Sequence, residues 1–155
     1  MKENFEATLK FVLEAEGGYT VDHAGATQMG ITIGLMKALK LDLDGDGDTD
    51  ADDVKLVNAD TVRQIFRKEF WNRVNADNLP GSIDLQAADF AYNAGPIAAA
   101  NILYGNLDPA LYRERRIAFY ESLCARNPGK YLKYRNGWIN RAMAAYEAAV
   151  QLMTI

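Results

Sequence analysis

Glu16 is the acidic residue whose surroundings best fit hydrolytic chemistry. A Gly-Gly-Tyr segment follows it, and then Asp22 and Thr27. Cleavage of a glycosidic bond needs one carboxylic acid to protonate the leaving oxygen and a second group to hold water. A Glu at a helix end beside a glycine-rich loop can be partly buried, which favours its protonated form. The pattern predicts Glu16 as general acid, with Asp22 and Thr27 positioning water; a solvated helix end is the alternative.

A second group of residues has the spacing of calcium ligands. Read from Asp42, the segment DLDGDGDTDADD has Asp at positions 1, 3, 5, 7, 9 and 12, and Gly47 at position 6. In an EF-hand loop, positions 1, 3, 5, 7 and 12 bind the ion and the glycine makes the sharp turn. The predicted ligands of a structural Ca²⁺ are Asp42, Asp44, Asp46, Asp48 and Asp53. The alternative is a solvated acidic turn, in which seven carboxylates would repel one another.

The elements that must position these residues are mostly helical. Apolar spacing predicts a helix over residues 3–16, ended by Gly17-Gly18, and β-prone pieces over residues 19–32 predict a small hairpin. Capping residues predict three further helices, which begin at Asp60, Ser82 and Asp108-Pro109. Short helices over 34–39 and 51–57 and a last helix over 137–153, with Ile139, Met143, Tyr146 and Val150 on one stripe, complete this prediction.

Length and composition bound the class of protein. With 155 residues and 49% hydrophobic content, the chain fits one domain. No apolar run is long enough to span a membrane, and the N-terminus does not read as a signal peptide, so we expect cytoplasmic synthesis. The net charge of −4 conceals seven acids in the loop, and the rest of the chain carries +3. A mildly basic surface suits an anionic cell-wall substrate.

Several segments together resemble one enzyme family. They are E-G-G-Y from Glu16, D-x-x-G-A-T from Asp22, G-I-T from Gly30, Phe70-Trp71, D-F-A-Y-N-A-G-P from Asp89 and G-W-I-N-R from Gly137. In this order they resemble the family-108 glycoside hydrolases, the N-acetylmuramidase endolysins. The resemblance implies a mainly α, lysozyme-like fold and cleavage of the β-1,4 bond between N-acetylmuramic acid and N-acetylglucosamine. Glu16 matches the catalytic glutamate, and Asp22 and Thr27 match the Glu–Asp–Thr set of phage lysozymes.

The resemblance also divides the chain and marks two departures. It implies a single domain over 1–155, with a catalytic part at 1–95 that includes the calcium loop at 42–53. Residues 96–155 form a helical part that resembles a peptidoglycan-binding region. The segment between Tyr19 and Gly25 is shorter than is usual in the family, and the dockerin-like calcium loop is an insertion. The first departure bears on the role of Asp22, and the second adds a calcium dependence of stability.

Other residues have a chemical interpretation and a structural one. Tyr19, Tyr92 and Asn93 are predicted to contact the sugar, although Tyr19 and Tyr92 also suit a core and Asn93 a helix cap. Trp71 and Trp138 are predicted to be core residues. A loop position predicts that His23 is exposed, and helical spacing predicts that Cys124 is buried. The basic run Arg113, Arg115 and Arg116 is predicted to be a solvated helix face.

The sequence therefore predicts a peptidoglycan muramidase that acts as a phage or prophage endolysin. We expect a monomer that contacts glycan strands, binds no nucleic acid, does not insert into the membrane and reaches the periplasm by holin-type release. Two alternatives stay open. A lytic transglycosylase needs only a lone Glu, and a calcium-dependent wall-binding or secretion-assisting protein needs no catalysis at all.

Overall fold

The computed structural model describes residues 2–155 and is mainly helical, with one small antiparallel sheet near the N-terminus. Short 3₁₀ segments lie at Lys2–Asn4, Ala76–Asn78 and Leu132–Tyr134. The α-helices are α1 (Phe5–Ala15), α2 (Ile33–Leu39), α3 (Ala51–Lys55), α4 (Ala59–Ile65), α5 (Asp84–Ala94), α6 (Pro96–Asn101), α7 (Pro109–Arg126), α8 (Pro128–Tyr131) and α9 (Arg135–Leu152). This architecture is consistent with the lysozyme-like fold that the sequence predicts.

The first helix forms where its apolar spacing predicts, but it ends differently. Phe5, Leu9 and Val12 are buried on one face of α1. Glu16 is the C-cap, with an extended backbone conformation. The prediction that Gly17-Gly18 caps the helix is wrong, since neither glycine has the positive φ of a glycine cap. The chain leaves the helix at Glu16 itself, which places this side chain at the edge of the helix.

The predicted hairpin is a three-stranded sheet. Strand β1 (Thr20–Asp22) pairs antiparallel with β2 (Gly25–Gln28), which pairs antiparallel with β3 (Ile31–Thr32). The third strand leads directly into α2. Thr32 caps this helix, because its side chain accepts a hydrogen bond from the backbone N–H of Leu35. The G-I-T segment thus ends one turn, forms a strand and caps a helix within a few residues.

Two of the predicted helix caps are wrong. Asn58 caps α4 through a hydrogen bond from the N–H of Thr61, and Asp60 lies inside the helix. The helix then continues as a π-helical segment, Phe66–Trp71. Ser82 does not cap α5, since it is buried two residues before the first helical residue and only its carbonyl is bonded, by Gln86. An Asn outranks an Asp only slightly as a cap, so local sequence does not separate neighbouring candidates.

Helix α5 lies at the centre of the core. Its first eight residues, Asp84–Ala91, are all buried. It packs against α1, α6, α9 and the π-helical segment. Trp71 lies in the same core with its ring fully buried, as predicted, and its indole N–H donates to Asp77. Surrounding elements therefore come from both ends of the chain, and a single core holds them.

The C-terminal helices follow the predicted boundaries, with two corrections. Asp108 caps α7 and Pro109 begins it, as predicted. Pro96 and Pro128 begin short helices, α6 and α8, which are not among the predicted elements. In α9 the buried positions are Ala142, Ala145 and Ala149, and Met143 on the predicted apolar stripe is exposed. Small alanines let α9 approach α5 and α7 closely, which a pattern of large apolar residues does not reveal.

Among the described residues, no helix combines the length and the apolar character needed to cross a membrane.

The alanine face of α9 gives a prediction about stability. Ala145 is fully buried, against Leu85, whereas Ala144 on the same helix is exposed. We expect Ala145→Leu to lower the free energy of unfolding by about 1–3 kcal/mol, because the added atoms overpack the contact with α5. The matched control Ala144→Leu should change it by less than about 0.5 kcal/mol. Urea denaturation of both variants checks this, and equal midpoints would contradict the assigned face.

Candidate active site

Glu16 lies at the C-terminal end of α1 with its side chain mostly covered. About 20% of the side chain is exposed, so the partial burial that its position predicts is found. The C-terminal end of a helix carries partial negative charge, which disfavours a carboxylate there. A cation is therefore needed nearby to hold the carboxylate of Glu16 in place.

Arg141 on α9 supplies that cation. Its Nη1 donates to Oε1 of Glu16 at 2.8 Å, across 125 residues of sequence. Its Nε and Nη2 donate to Oδ1 of Asp89 on α5, at 3.1 and 2.8 Å. Burial lowers the pKa of Arg141, but the carboxylates of Asp89 and Glu16 outweigh burial and leave the pKa above its ordinary value. Arg141 therefore stays charged and joins the buried Asp89 to the partly exposed Glu16.

Tyr92 and Gly30 cover the other side of Glu16. The hydroxyl of Tyr92 donates to the carbonyl of Met29 at 2.7 Å, so α5 holds the β2–β3 turn. Gly30 has φ +83, and a Cβ there would lie 2.6 Å from the Tyr92 ring and 3.0 Å from the Glu16 carboxyl carbon. Burial, with a smaller contribution from the charge of Glu16, raises the pKa of Tyr92, which therefore keeps its proton. Only glycine fits between these two side chains.

The structure ties Asp22 to its own turn. Oδ1 of Asp22 accepts a hydrogen bond from the N–H of Ala24 at 2.8 Å, and the residue is exposed at the end of β1. Within residues 2–155, no hydrogen bond or ion pair joins Asp22 to Glu16. Thr27 is half-buried in β2, opposite Thr20 and Thr32. The fold brings both residues into the sheet that follows Glu16, and their roles in holding water stay predictions.

A groove of about 530 Å³ extends from Arg141 along α9. Asn93, Trp138, Asn140, Glu14 and Phe11 also line it. Trp138 is half-buried, and the Tyr120 ring stacks on it with centroids 5.1 Å apart. The groove therefore places two side-chain amides and an aromatic edge beside the Arg141–Glu16 pair. Side chains of this kind bind sugars and peptides through hydrogen bonds and apolar contact.

Of the other predicted residues, Tyr19 is about one-third exposed and lies near Lys55, whose Nζ is 5.8 Å from the ring centre. His23 is exposed, as predicted. Cys124 is buried, as predicted. The prediction of a solvated basic face on α7 is wrong for Arg116, which is fully buried. Its neighbours on the buried side recur every four residues, at Tyr112, Tyr120 and Cys124, and this spacing was the available signal.

The acidic loop between α2 and α3 groups its carboxylates. Oxygen atoms of Asp42, Asp44 and Asp46 lie within 4.8 Å of one another, and so do those of Asp48, Asp50 and Asp53. The charge of Asp46, followed by desolvation and the charge of Asp50, raises the pKa of Asp48. The backbone N–H of Asp46 lowers the pKa of Asp44, but desolvation and neighbouring aspartates outweigh it and leave the pKa raised. The aspartates thus repel one another, which a cation would relieve.

The backbone of the acidic loop turns sharply at Gly47, and Asp53 closes the loop. Gly47 at position 6 has φ +101, a conformation that favours glycine, and its N–H donates to Asp42. Asp53 at position 12 is buried, and its Oδ1 accepts from the N–H groups of Leu43 and Asp44. Its Oδ2 accepts from the N–H of Asp50, where α3 begins. Asp53 therefore ties the two ends of the loop together. The sequence did not single out Asp50 as a ligand.

Three comparisons place the chain among known proteins. A family model described as Glycosyl hydrolase 108 matches residues 9–95. The solved structure of SagA from Brucella abortus is similar in fold, with a TM-score of 0.79 and 24% sequence identity, over 97% of this chain and 96% of that one. No curated protein matches the chain.

A partly exposed carboxyl group is the kind of proton donor that cleavage of a glycosidic bond requires. Since the family model covers more than half of its residues, the chain belongs to glycosyl hydrolase family 108. This membership makes it a glycoside hydrolase whose substrate is peptidoglycan. The match contains Glu16 and Asp89 but ends before Arg141, so the family region alone does not include the cation of the site.

The contact of Gly30 with Glu16 and Tyr92 gives a second prediction. We expect Gly30→Ala to lower the free energy of unfolding by about 1–3 kcal/mol, because it combines a strained φ with a clash against a packed ring. It should also displace the carboxylate of Glu16 and reduce hydrolysis of peptidoglycan. Gly18→Ala is the matched control, since a Cβ there meets no atom within 4 Å and its φ is not positive. Thermal melting and wall hydrolysis check both variants, and a Gly30→Ala protein that behaves like the control would contradict this packing.

Proposed function

We propose that the protein is a muramidase that cleaves the β-1,4 bond between N-acetylmuramic acid and N-acetylglucosamine, with Glu16 as general acid. The observation that carries the proposal is the hydrogen bond of Glu16 to Arg141, which lines a groove, in a chain of family 108. A residue that protonates a leaving oxygen must lie at the substrate surface and be held in one orientation. Glu16 meets both conditions, since it is partly exposed and fixed from two sides.

Arg141 fits the second half of the proton transfer. Once Glu16 has given its proton to the glycosidic oxygen, a carboxylate remains at the negative end of α1. A guanidinium 2.8 Å away stabilises that charge through a charge-assisted hydrogen bond. The second oxygen of Glu16, Oε2, lies on the side of Gly30. In this mechanism water enters after or during departure of the leaving sugar, and Asp22 with Thr27 holds it.

A lytic transglycosylase is the second candidate, and one observation favours it. The carboxylate of Asp22 is exposed and accepts from its own turn, and within residues 2–155 no hydrogen bond joins it to Glu16. A transglycosylase closes an anhydro ring on the muramic acid and needs no water-activating residue. Product analysis separates the two reactions, because only the transglycosylase leaves 1,6-anhydromuramic ends.

The role in the organism is a proposal of the same kind. We propose that the protein acts on the cell wall as a phage or prophage endolysin, as a monomer, after holin-type release. The helices of residues 96–155 would contact the glycan on the side of Trp138 and Asn140, which line the groove. A basic remainder of the chain supports attraction to the anionic wall.

Replacement of Glu16 tests the catalytic proposal. Glu16→Gln keeps the shape of the side chain but removes its ionisable proton. We expect loss of about 10²–10⁴-fold in the rate at which purified sacculi lose turbidity and release muropeptides. Glu6→Gln on the same helix is the matched control and should keep most of the activity, since its exposed carboxylate pairs with Arg63, away from the groove.

Three other results would contradict the proposal. If Glu16→Gln clears sacculi as fast as the wild type, the assigned acid is wrong. If neither protein clears them while both bind, the chain is a wall-binding protein. If the products carry 1,6-anhydro ends, the reaction is that of a lytic transglycosylase.

We also propose that the loop 42–53 binds Ca²⁺ for structural stability, through Asp42, Asp44, Asp46, Asp53 and the carbonyl of Asp48. Hard cations with oxygen ligands suit this donor set. Three observations support the proposal. The aspartates form two clusters of carboxylates, the chain turns at Gly47, and the aspartates repel one another. Calcium would act on stability through the loop and α3, which follows it.

Calcium titration tests the loop. At about 100 times its dissociation constant, Ca²⁺ should add about 2.7 kcal/mol to the free energy of unfolding, because it binds only the folded state. Asp42→Asn should remove most of this effect. Asp52→Asn should not, since Asp52 is not a predicted ligand and pairs with Lys55 at 2.9 Å. Thermal melting in calcium and in chelator checks the three proteins.

The pH dependence of this effect has a definite sign. In the calcium-free protein the raised pKa values of Asp44 and Asp48 mean that repulsion opposes folding above those values and fades as the carboxylates take up protons. Calcium binding needs the ionised forms. The calcium-induced rise in melting temperature should therefore be full at pH 7 and vanish as the pH falls through the pKa values of the ligand carboxylates. A calcium effect that persists in Asp42→Asn or at low pH would contradict the proposed site.

A further inference from the structure

Arg116 is a buried cation that the chemistry proposed above does not use. It lies on α7 with its side chain about 1% exposed, between the rings of Phe90 and Tyr120. A buried charge is costly unless it is paired and hydrogen-bonded. Arg116 has an ion-pair partner in one direction, Asp89, and a hydrogen-bond partner in the other, the Tyr120 hydroxyl. One leads to Glu16, and the other leads to Asn93 in the groove.

The first direction runs through Asp89. Nη1 of Arg116 lies 2.8 Å from Oδ2 of Asp89, whose other oxygen accepts from Arg141. Asp89 is fully buried and therefore has no contact with solvent. Its charge is paired with the two arginines, Arg116 and Arg141. Arg116 thereby holds one oxygen of Asp89 and leaves the other facing Arg141. This fixes the guanidinium that donates to Glu16.

The second direction runs through Tyr120. Nε of Arg116 can only donate, and it donates to the Tyr120 oxygen at 3.1 Å. The hydroxyl proton of Tyr120 is then free to donate to Oδ1 of Asn93, and it does so. Burial raises the pKa of Tyr120, which therefore keeps that proton. Since the bonded atom of Asn93 must be an acceptor, its NH₂ group is the end left for the groove that Asn93 lines.

We propose that Arg116 is a positioning residue that fixes both Glu16, through Asp89 and Arg141, and the amide orientation of Asn93, through Tyr120. The proposal rests on the proposed function of Glu16 as acid and assigns Asn93 as a donor to a carbonyl or hydroxyl oxygen of the glycan. One buried side chain then sets the relative positions of Glu16 and Asn93. Neither effect requires Arg116 to touch the substrate.

The charges around Glu16 balance in this arrangement. Arg141 on α9 and Arg116 on α7 face Asp89 on α5 and Glu16 at the end of α1, and the phenols of Tyr92 and Tyr120 complete the set. Loss of Arg116 leaves Asp89 with one arginine in place of two. Arg141 is then drawn toward Asp89, and its hydrogen bond to Glu16 weakens.

Two variants separate the two directions. Arg116→Lys keeps the charge but cannot present the separate Nε and Nη1 donors that contact Tyr120 and Asp89. Tyr120→Phe removes only the hydroxyl and keeps the ring that stacks on Trp138. Arg115→Lys is the matched control, since Arg115 on the same helix donates to the carbonyls of Ile102 and Tyr104, outside this network.

The first measurement is nuclear magnetic resonance of the side chains, which does not depend on activity. In the wild type, the Nε–H of Arg141 and the side-chain amide of Asn93 should give resolved, slowly exchanging signals. Arg116→Lys should shift both signals and speed up their exchange, whereas Tyr120→Phe should change only the Asn93 amide. Arg115→Lys should change neither. If Arg116→Lys and Tyr120→Phe leave the signals as in the wild type, the proposal is wrong.

The second measurement is kinetics on soluble peptidoglycan fragments. Arg116→Lys should lower kcat by about 10- to 100-fold, since misplacement of a catalytic group by about 1 Å has effects of this size. Tyr120→Phe should raise KM by about fivefold with kcat nearly unchanged, the effect of one hydrogen bond. In an Asn93→Ala background, Tyr120→Phe should have no further effect on KM, because it acts through Asn93.

The outcomes distinguish this proposal from the proposed function. If the wild type does not cleave glycan, the enzyme proposal fails, and the resonance signals still decide whether Arg116 fixes the two side chains. If the signals shift but kcat and KM match those of Arg115→Lys, Arg116 is only structural and the proposal is overturned. If Arg116→Lys does not fold, the Tyr120→Phe and Asn93→Ala pair decides, and additive effects on KM would overturn the second direction.

Discussion

The position of Asp89 between two arginines is the interaction on which the site depends. A fully buried carboxylate is stable only when its charge is matched, and Asp89 meets Arg116 on one side and Arg141 on the other. The helices α5, α7 and α9 must therefore meet at one point, and the small and aromatic side chains around that point let them pack together. Arg141 reaches Glu16 from that point, so the packing of the helical core and the orientation of the acid have one cause.

The opposite side of Glu16 is controlled by shape. Tyr92 extends from the central helix to the carbonyl of Met29, and Gly30 lies between the tyrosine ring and the carboxylate. The small sheet is thus attached to α5 at its turn, where a side chain on residue 30 would separate them. A charge on one side and a close backbone approach on the other leave Glu16 partly exposed in one direction.

The C-terminal helices belong to the site as much as the N-terminal part does. The family model ends at residue 95, yet Arg141, Trp138 and Asn140 beyond it line the groove or contact Glu16. One hydrophobic core includes Phe5 near the start of the chain and Ala142 near its end. A separate C-terminal module would not supply a residue to the acid. Residues 96–155 therefore complete the charged centre of the site, through Arg141.

The sequence by itself determined most of the secondary-structure elements, and it identified Glu16 but not the partners of Glu16. Helical spacing gave α1 and α7, Asp108-Pro109 gave the start of α7, and the E-G-G-Y, G-A-T and G-I-T segments marked Glu16 and its sheet, because caps, periodicity and motifs are local. Tertiary structure alone decided the partners of Glu16. Arg141 is 125 residues away from Glu16 in the sequence. Arg116 belongs to a basic run of the kind found on solvated helix faces, yet it lies four residues from the buried Tyr112 and Tyr120. Charge pairing in a core depends on which helices pack together, and a sequence pattern does not show which helices do so.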